Sequence, residues 1–279
     1  MSFVEILKVI VLGLVEGFTE WLPISSTGHM ILVNELIHLN QPDSYYEVFE
    51  VVIQLGAILA VVTTFFREIW PFARQKNGSV GVLPSKINLW VKIIVACLPA
   101  AVIGILFDDL LNKYLYNGFV VALMLILYGI FFILIENRNE TVSFRIKKLQ
   151  DLDLRTAFII GLFQCLALIP GTSRSGATIL GAMLVGVART PASEFSFFLS
   201  IPVMFGASLL KLVKHGFGFS GPQWFYLILG MVVAYFVSVY CIDFLMKYIR
   251  THSFRIFGWY RIALGIIVLM WFLVSSLLH

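Results

Sequence analysis

Long apolar runs follow one another along most of the chain, with short polar segments between them. A helix needs about 20 predominantly apolar residues to cross a bilayer, and six of the runs approach or reach that length. The pattern therefore predicts an all-α polytopic membrane protein with six transmembrane helices. The predicted spans cover residues 49–66, 87–107, 118–136, 195–213, 223–246 and 259–278.

Two further segments, residues 5–33 and 157–187, are apolar at both ends but are interrupted near the middle by Pro, Gly, Ser and Thr. Irregular backbone at membrane depth is tolerated only where it is buried in protein or lines a water-filled cavity, because lipid cannot satisfy its polar groups. We therefore expect two re-entrant helical hairpins next to a cavity.

The two interrupted segments are similar in sequence at a shift of 148 positions, from Ser25 to Ser173. The alignment places Gly13 and Leu14 on Gly161 and Leu162, Glu16 on Gln164, and the run Ser25, Ser26, Thr27, Gly28 on Ser173, Arg174, Ser175, Gly176. Because each hairpin is followed by three spans, an odd number, the second copy is inverted in the membrane relative to the first. The chain is thus predicted to be a single membrane domain over 1–279 with an inverted-topology repeat, copy one at about 1–137 and copy two at about 150–279.

Composition and charge support a membrane protein. The chain is 59% hydrophobic and 13% charged, whereas soluble domains carry roughly 25% charged residues. Its net charge of +4 is spread over short loops, so no nucleic-acid partner is expected. Most of the Lys and Arg residues lie in the loops that follow the first, third and fifth spans. The positive-inside rule therefore predicts that these three loops face the cytoplasm.

The first hairpin carries candidate catalytic groups. Glu16 and Glu20 are four residues apart and share a helical face, and Ser25, Ser26 and His29 follow closely. An ionisable side chain at membrane depth costs at least about 2.5 kcal/mol on insertion scales, so this cluster indicates a function. A purely structural alternative is that the carboxylates pair with Arg174 as an interhelical contact and that His29 caps a helix end.

The second hairpin contains one arginine, four hydroxyl residues and two glycines within residues 170–178. This composition indicates an anion site, because Arg174 can bind phosphate oxygens bidentately and hydroxyls at a helix start add donors. With the first hairpin it supplies the groups for phosphoryl transfer: Arg174 as clamp, Ser26 or a water as nucleophile, and His29 for proton transfer. Glu16 and Glu20 would repel phosphate without a cation, so we expect them to bind Mg²⁺ or Ca²⁺.

Three further polar residues are less specific indicators of a functional site. Glu50 and Gln54 lie near the start of the first span of the first half, and Glu194 lies at the corresponding place in the second half. Glu50, Gln54 and Glu194 are predicted either to line the same cavity or to form hydrogen bonds across the repeats. Both alternatives stay open at this point.

Residues 12–29 and 170–178, together with 49–56 and 192–197, resemble the bacterial undecaprenyl-diphosphate phosphatase family of the bacitracin-resistance type. The resemblance extends over the whole chain. It implies an enzyme of the plasma membrane that hydrolyses undecaprenyl diphosphate to undecaprenyl phosphate and inorganic phosphate. This reaction recycles the lipid carrier for peptidoglycan synthesis and confers resistance to bacitracin.

The resemblance also implies the roles of individual residues. Glu16 and Glu20 are expected as essential carboxylates, Ser26 as nucleophile, His29 as acid/base group and Arg174 as phosphate clamp. The substrate-binding residues are expected to be Ser25, Thr27, Gly171, Ser173, Ser175, Gly176 and Thr178. The site is expected to open to the extracytoplasmic side, and the partners are a polyprenyl diphosphate, membrane lipids and, as an open alternative, a second copy of the chain in a homodimer.

A transporter is the competing hypothesis, because inverted repeats with broken helices are common in secondary carriers. On the same scaffold, the phosphate site would bind a lipid phosphate for flipping across the membrane.

Overall fold

The computed structural model describes residues 2–74, 79–115 and 117–278, and most of them are helical. The helices are α1 (Phe3–Thr19), α2 (Ser26–Ile37), α3 (Asp43–Val52), α4 (Gln54–Thr64), α5 (Phe66–Ile69), α6 (Pro84–Leu115), α7 (Gly118–Asn139), α8 (Leu154–Cys165), α9 (Arg174–Leu184), α10 (Arg189–His215), α11 (Gly221–Tyr248) and α12 (Arg255–Leu278). Two short strands, β1 (Phe72–Arg74) and β2 (Val80–Val82), pair antiparallel between α5 and α6.

Six helical segments of the described residues are long and apolar enough to cross a membrane. They are Asp43–Thr64, Pro84–Phe107, Gly118–Asn139, Arg189–His215, Gly221–Tyr248 and Arg255–Val274. This result confirms the all-α polytopic class and the number of spans. The helix of the first span begins at Asp43, before the predicted 49, because the helix continues through polar residues that the apolar run does not include.

The two interrupted segments form helical hairpins, α1 with α2 and α8 with α9. Each second helix begins behind a serine with a positive φ, 75° at Ser25 and 71° at Ser173. Both serine side chains cap their helix by accepting a hydrogen bond from the amide three residues later, Gly28 and Gly176. Non-glycine residues rarely adopt a positive φ, so the same conformation at positions 148 apart is what a duplicated hairpin predicts.

Each hairpin starts and ends on one side of the bundle. In the first, Lys8 Nζ donates to the His38 carbonyl oxygen at 2.7 Å, which joins the start of α1 to the end of α2. In the second, the Ile146 amide donates to the Gly186 carbonyl oxygen at 3.0 Å, which joins the segment before α8 to the segment after α9. Both hairpins are therefore re-entrant in geometry.

The hairpins enter the bundle from opposite ends. Gln41, after α2, bonds to Gln223 at the start of α11, whereas Arg138 at the end of α7 donates to the Leu184 carbonyl at the end of α9. Glu140, after α7, pairs with Arg255 at the start of α12, which follows the end of α11. The end of α7 thus lies at the opposite end of the bundle from the start of α11, as the inverted repeat predicts. The exact boundaries of the repeats stay a prediction.

The two halves also pack against each other in a matching way, α1 on α11 and α8 on α6. A Cβ atom at Gly13 would lie 3.0 Å from the Gly230 carbonyl oxygen, and one at the equivalent Gly161 would lie 2.3 Å from the Ala96 carbonyl oxygen. Small residues permit such close helix contacts in membranes. At the tip of the first hairpin, the buried Trp21 packs edge-on against Phe197 of α10, with ring centroids 5.3 Å apart. The contact between Trp21 and Phe197 holds the tip of the first hairpin inside the bundle.

Candidate active site

The tips of the two hairpins meet at Glu20. Its Oε2 accepts a hydrogen bond of 2.6 Å from Ser26 Oγ, and its Oε1 accepts one of 3.1 Å from Arg174 Nη2. The Glu20 and Arg174 side chains are only 8% and 10% exposed. The structure therefore brings together three of the residues predicted for one site, one carboxylate, one hydroxyl and one guanidinium.

The first turn of α9 supplies further hydroxyl groups beside Glu20. Ser175 Oγ donates to the Glu20 carbonyl oxygen at 3.2 Å, and it lies 3.1 Å from Ser173 Oγ. Thr178 Oγ1 donates back to the Arg174 carbonyl oxygen at 2.9 Å and so lies behind the cluster. The start of an α-helix carries a partial positive charge, which adds to the charge of Arg174 and favours an anion.

Arg174 is anchored by a residue that the sequence analysis did not identify. Its Nη1 donates to the Ser196 carbonyl oxygen in α10 at 2.8 Å, while its Nε is buried and has no partner among the described residues. Ser196 Oγ also lies 2.7 Å from Thr178 Oγ1. Ser196 lies in the segment 192–197 that carries part of the family resemblance. Its contact with Arg174 through a backbone carbonyl oxygen could not be predicted from its side chain.

Glu16 and Gln164 hold unsatisfied polar atoms. Glu16 is 1% exposed and Gln164 is 2% exposed, yet Glu16 Oε1 and both amide atoms of Gln164 have no hydrogen-bond partner among the described residues. Leaving a buried polar group unpaired costs about 1–3 kcal/mol. We therefore expect a water molecule, an ion or a ligand to bind these atoms. Glu16 and Gln164 occupy equivalent positions in the repeat alignment. The sequence therefore contained a signal that Gln164 belongs to the same site as Glu16.

A cavity of about 180 Å³ lies between the hairpin tips and the helices α6 and α10. Its polar lining consists of Glu20, Ser26, Thr27, Gln54, Gln164, Ser173 and Arg174. Gln54 thus lines this cavity, which was one of its two predicted alternatives. Glu50 lies close enough to Glu16 for the two carboxylates to interact electrostatically. Glu194 lines a different cavity, together with Glu68, at one end of the bundle.

His29 lies apart from the cluster, contrary to the expectation of a shared site. Its Nδ1 donates to the Ser25 carbonyl oxygen at 2.7 Å, and its Nε2 is 2.7 Å from the Tyr260 hydroxyl. The ring faces an apolar groove between the first hairpin and α12. Because both ring nitrogens are engaged there, the imidazole has no described contact with Glu20, Ser26 or Arg174. Its acid/base role stays a prediction.

Arg261 of α12 connects the two hairpin tips through hydrogen bonds to their backbone carbonyl oxygens. Its guanidinium is completely buried and donates to the carbonyl oxygens of Pro23 at 3.1 Å, Gly171 at 2.8 Å and Thr172 at 2.9 Å. Arg261 was not among the residues predicted from the sequence, although an arginine inside an apolar span is itself a signal of function. Gly171 adopts a φ of +88°, and its backbone also lines the cavity between the hairpin tips.

The described residues contain no group of three or more His, Cys, Asp or Glu side chains arranged to hold a metal ion. Mg²⁺, however, is commonly bound by only one or two carboxylates together with waters and substrate phosphate oxygens. The unpartnered oxygen of Glu16, one helical turn from Glu20, fits a cation that is held jointly with a substrate.

Comparison with known proteins identifies the family. The model of the bacitracin resistance protein BacA family matches residues 9–267. An undecaprenyl-diphosphatase of Enterococcus faecalis is 55% identical over 97% of this chain and 98% of the relative. One of Desulfitobacterium hafniense is 57% identical over 100% of both chains, and one of Streptococcus mutans serotype c is 53% identical over 99% of both. The chain therefore belongs to the BacA family of bacitracin resistance proteins.

Proposed function

We propose that this membrane protein hydrolyses undecaprenyl diphosphate to undecaprenyl phosphate and inorganic phosphate, and so confers resistance to bacitracin. The observation that carries the proposal is the contact of Glu20 with both Ser26 and Arg174 inside a buried cavity. Relatives that are more than half identical over their full length bear the name undecaprenyl-diphosphatase. Release of the monophosphate returns the lipid carrier to cell-wall synthesis.

The geometry suits Ser26 as the nucleophile. Glu20 Oε2, 2.6 Å from Ser26 Oγ, accepts the hydroxyl proton as Oγ attacks the terminal phosphorus. The bond between that phosphorus and the bridging oxygen breaks, and undecaprenyl phosphate leaves. Glu20 passes this proton to the bridging oxygen of the departing undecaprenyl phosphate. Water then hydrolyses the phosphoserine: Glu20 accepts a proton from the water and returns it to Ser26 Oγ as the bond between phosphorus and Oγ breaks. In the alternative mechanism Glu20 activates a water for direct attack.

Arg174 stabilises the charge on the transferred phosphoryl group. In the structure its Nη2 is paired with Glu20, while its Nη1 is held by the Ser196 carbonyl. An entering phosphate competes for Nη2 and for the free Nε, which leaves Glu20 available as a base. Such fixed donors stabilise developing charge without reorganisation during the reaction.

Glu16 and Glu20 would hold the divalent cation, Mg²⁺ or Ca²⁺. When bound, the cation would offset the negative charge of the diphosphate next to the carboxylates. Calorimetric titration of the purified protein with either ion should detect a site that Glu16→Gln abolishes. Equal binding to the Gln variant would contradict this assignment.

The cavity is proposed to open to the extracytoplasmic side of the plasma membrane. Its apolar wall comes from Ala100 of α6 and from Val203, Met204 and Ala207 of α10. These residues lie in the second halves of both helices, toward the end of the bundle at which the first hairpin starts and ends. The predicted cytoplasmic loops are at the other end.

A detergent assay separates the phosphatase from a flippase on the same scaffold. Purified protein in micelles, where no second compartment exists, should release phosphate from undecaprenyl diphosphate, whereas a carrier would release none. Arg174→Ala should abolish the release, and Arg138→Ala, which changes an arginine at one end of the bundle, serves as the matched control. A protein that releases no phosphate in any lipid or detergent would contradict the proposal.

A further inference from the structure

The cavity between the two hairpin tips, here called the tip cavity, is too small to hold the lipid chain of the proposed substrate. Its volume is about 180 Å³, below the roughly 300–1,000 Å³ of pockets that enclose drug-sized ligands. The undecaprenyl chain is far longer than its diphosphate, so the chain must leave the tip cavity through one wall. That wall must be apolar and must reach the surface of the bundle.

One wall of the tip cavity meets both requirements. The polar lining comes from the two hairpins and α4. The helices α6 and α10 contribute small or apolar side chains, which are Ala100, Val203, Met204 and Ala207. Among the described residues that line the cavity, Ala207 alone is exposed. The tip cavity therefore reaches the surface between α6 and α10, along its apolar wall.

This wall continues as an apolar stripe on each of the two helices. The stripes consist of Ala100, Gly104 and Phe107 on α6 and of Val203, Ala207 and Leu210 on α10. Both sets are spaced by four and three residues, which places each set on one helical face. Phe107 is 46% exposed and Leu210 is 44% exposed, so both stripes end on the surface. Apolar side chains thus lead from the tip cavity to the lipid.

Gly104 lies at this opening and is not needed for close helix packing. A Cβ atom at Gly161 would lie 2.3 Å from a backbone oxygen of the neighbouring helix, which is the usual reason for a small residue in a membrane helix. At Gly104, the nearest atom to an added Cβ is Leu168 Cδ2 at 3.7 Å, an ordinary van der Waals distance. Leu168 itself lines the tip cavity. The missing side chain of Gly104 therefore leaves space beside the cavity.

A larger apolar groove beside the first hairpin is the competing route for the chain. Its volume is about 630 Å³, and residues of α1, α2, α11 and α12 line it. Leu22 and Ile24 of the hairpin tip face this groove, whereas Glu20 and Ser26 face the tip cavity. Because the tip of the first hairpin separates the two spaces, a chain attached to a diphosphate at Ser26 cannot enter the groove.

We propose that the prenyl chain of the substrate leaves the tip cavity between α6 and α10, and that Gly104 keeps this passage open. The passage has this role only if undecaprenyl diphosphate is the substrate, so it rests on the proposed function. The phosphate attached to the chain would then lie toward Leu168, and the terminal phosphate would lie toward Ser26 and Arg174.

Variants of Gly104 test the passage. Gly104→Leu should raise the KM for undecaprenyl diphosphate by about tenfold, because the added side chain fills space that the bound chain needs. Gly104→Ala adds one atom at van der Waals distance from Leu168 and should leave KM nearly unchanged. Val102→Leu is the matched control, since Val102 is 55% exposed and lies two residues away, on the opposite face of α6. Leu14→Trp, which fills the competing groove, should also leave KM unchanged.

Thermal midpoints in detergent verify that these variants are folded. An unchanged KM in folded Gly104→Leu protein, or an equal increase in Val102→Leu or Leu14→Trp, would overturn the proposal. A loss in Gly104→Ala as large as that in Gly104→Leu would also do so, because it would indicate helix packing rather than a passage.

A photoreactive analogue locates the chain in the unchanged protein and does not depend on how a variant folds. A prenyl diphosphate with a diazirine on its first prenyl units is bound and irradiated, and the labelled peptides are identified by mass spectrometry. Label should lie on α6 and α10 near Phe107 and Leu210, and excess undecaprenyl diphosphate should prevent it. Label in the groove, at Leu14 or Phe244, or label that the competitor does not reduce, would refute the passage. Phosphate release by the unchanged protein separately tests the proposed function.

Discussion

Ser26 donates a hydrogen bond of 2.6 Å to Glu20, and its replacement distinguishes the two mechanisms. If Ser26 is the nucleophile, Ser26→Ala should lower kcat by about 10³-fold or more, as losses of a catalytic serine do. If a water attacks, only a hydrogen bond is lost and kcat should fall by roughly tenfold or less. Phosphate release measures kcat, and an acid-quenched reaction with labelled substrate shows whether a phosphoserine forms.

The neighbouring serine provides the control for that experiment. Ser25 caps α2 and contacts the Gly28 amide rather than Glu20, so Ser25→Ala should cost about 1 kcal/mol of stability. It should leave the chemical step largely intact. A loss of kcat as large as that of Ser26→Ala would mean that the cap geometry, not the Ser26 hydroxyl, controls turnover.

Gln164 lines the catalytic cavity with both amide atoms unpartnered, so stability and activity should respond in opposite directions. Gln164→Leu removes buried polar atoms without taking a partner from another group, and such replacements are nearly neutral or stabilising. The thermal midpoint in detergent should therefore stay or rise. If the amide binds the substrate phosphate, KM should increase by about tenfold.

The adjacent Cys165→Ala, outside this cavity lining, is the control for Gln164 and should change neither quantity strongly. An unchanged KM in Gln164→Leu would show that the amide binds water rather than substrate. A large loss of stability would contradict the view that its polar atoms are unsatisfied.

At the scale of elements, the sequence predicted the six spans and both hairpins, because a membrane requires apolar segments of defined length and confines broken backbone to protected places. It did not predict the β1–β2 pair, which lies in a polar connection without an apolar pattern. The orientation of the His29 ring also could not be predicted from the sequence, because it depends on a contact with the Tyr260 hydroxyl, 231 residues away. The local pattern of apolar and polar residues thus predicts the helices and hairpins. Contacts between elements that are distant in sequence determine which side chains share a cavity.

Arg261 acts on two elements together, because its guanidinium donates to Pro23 in one hairpin and to Gly171 and Thr172 in the other. Arg261→Lys keeps the charge but cannot donate in both directions from one planar fork. The hairpin tips should shift relative to each other, and a displacement of about 1 Å can lower kcat by about 10²-fold. Phosphate release by folded protein, verified by its thermal midpoint, measures the effect.

Arg255→Lys is the control for Arg261, since Arg255 forms a partly exposed pair with Glu140 at the end of the bundle. Exposed pairs contribute little, about 0–1 kcal/mol, so this variant should keep nearly full activity. Wild-type kcat in folded Arg261→Lys protein would contradict the positioning role.

At the scale of the whole molecule, the opposite entry of the two hairpins predicts which connections face which side of the membrane. Asn40 follows the first hairpin and Thr141 precedes the second, and both are exposed. After replacement of Cys97, Cys165 and Cys241, single cysteines at these two positions can be labelled in intact cells with a maleimide that does not cross membranes. Asn40→Cys should react directly, and Thr141→Cys only after permeabilisation, because the basic loops are retained in the cytoplasm. Labelling of both positions from the same side would contradict the inverted arrangement of the two hairpins. That arrangement is what brings Glu20 of the first hairpin into contact with Arg174 of the second.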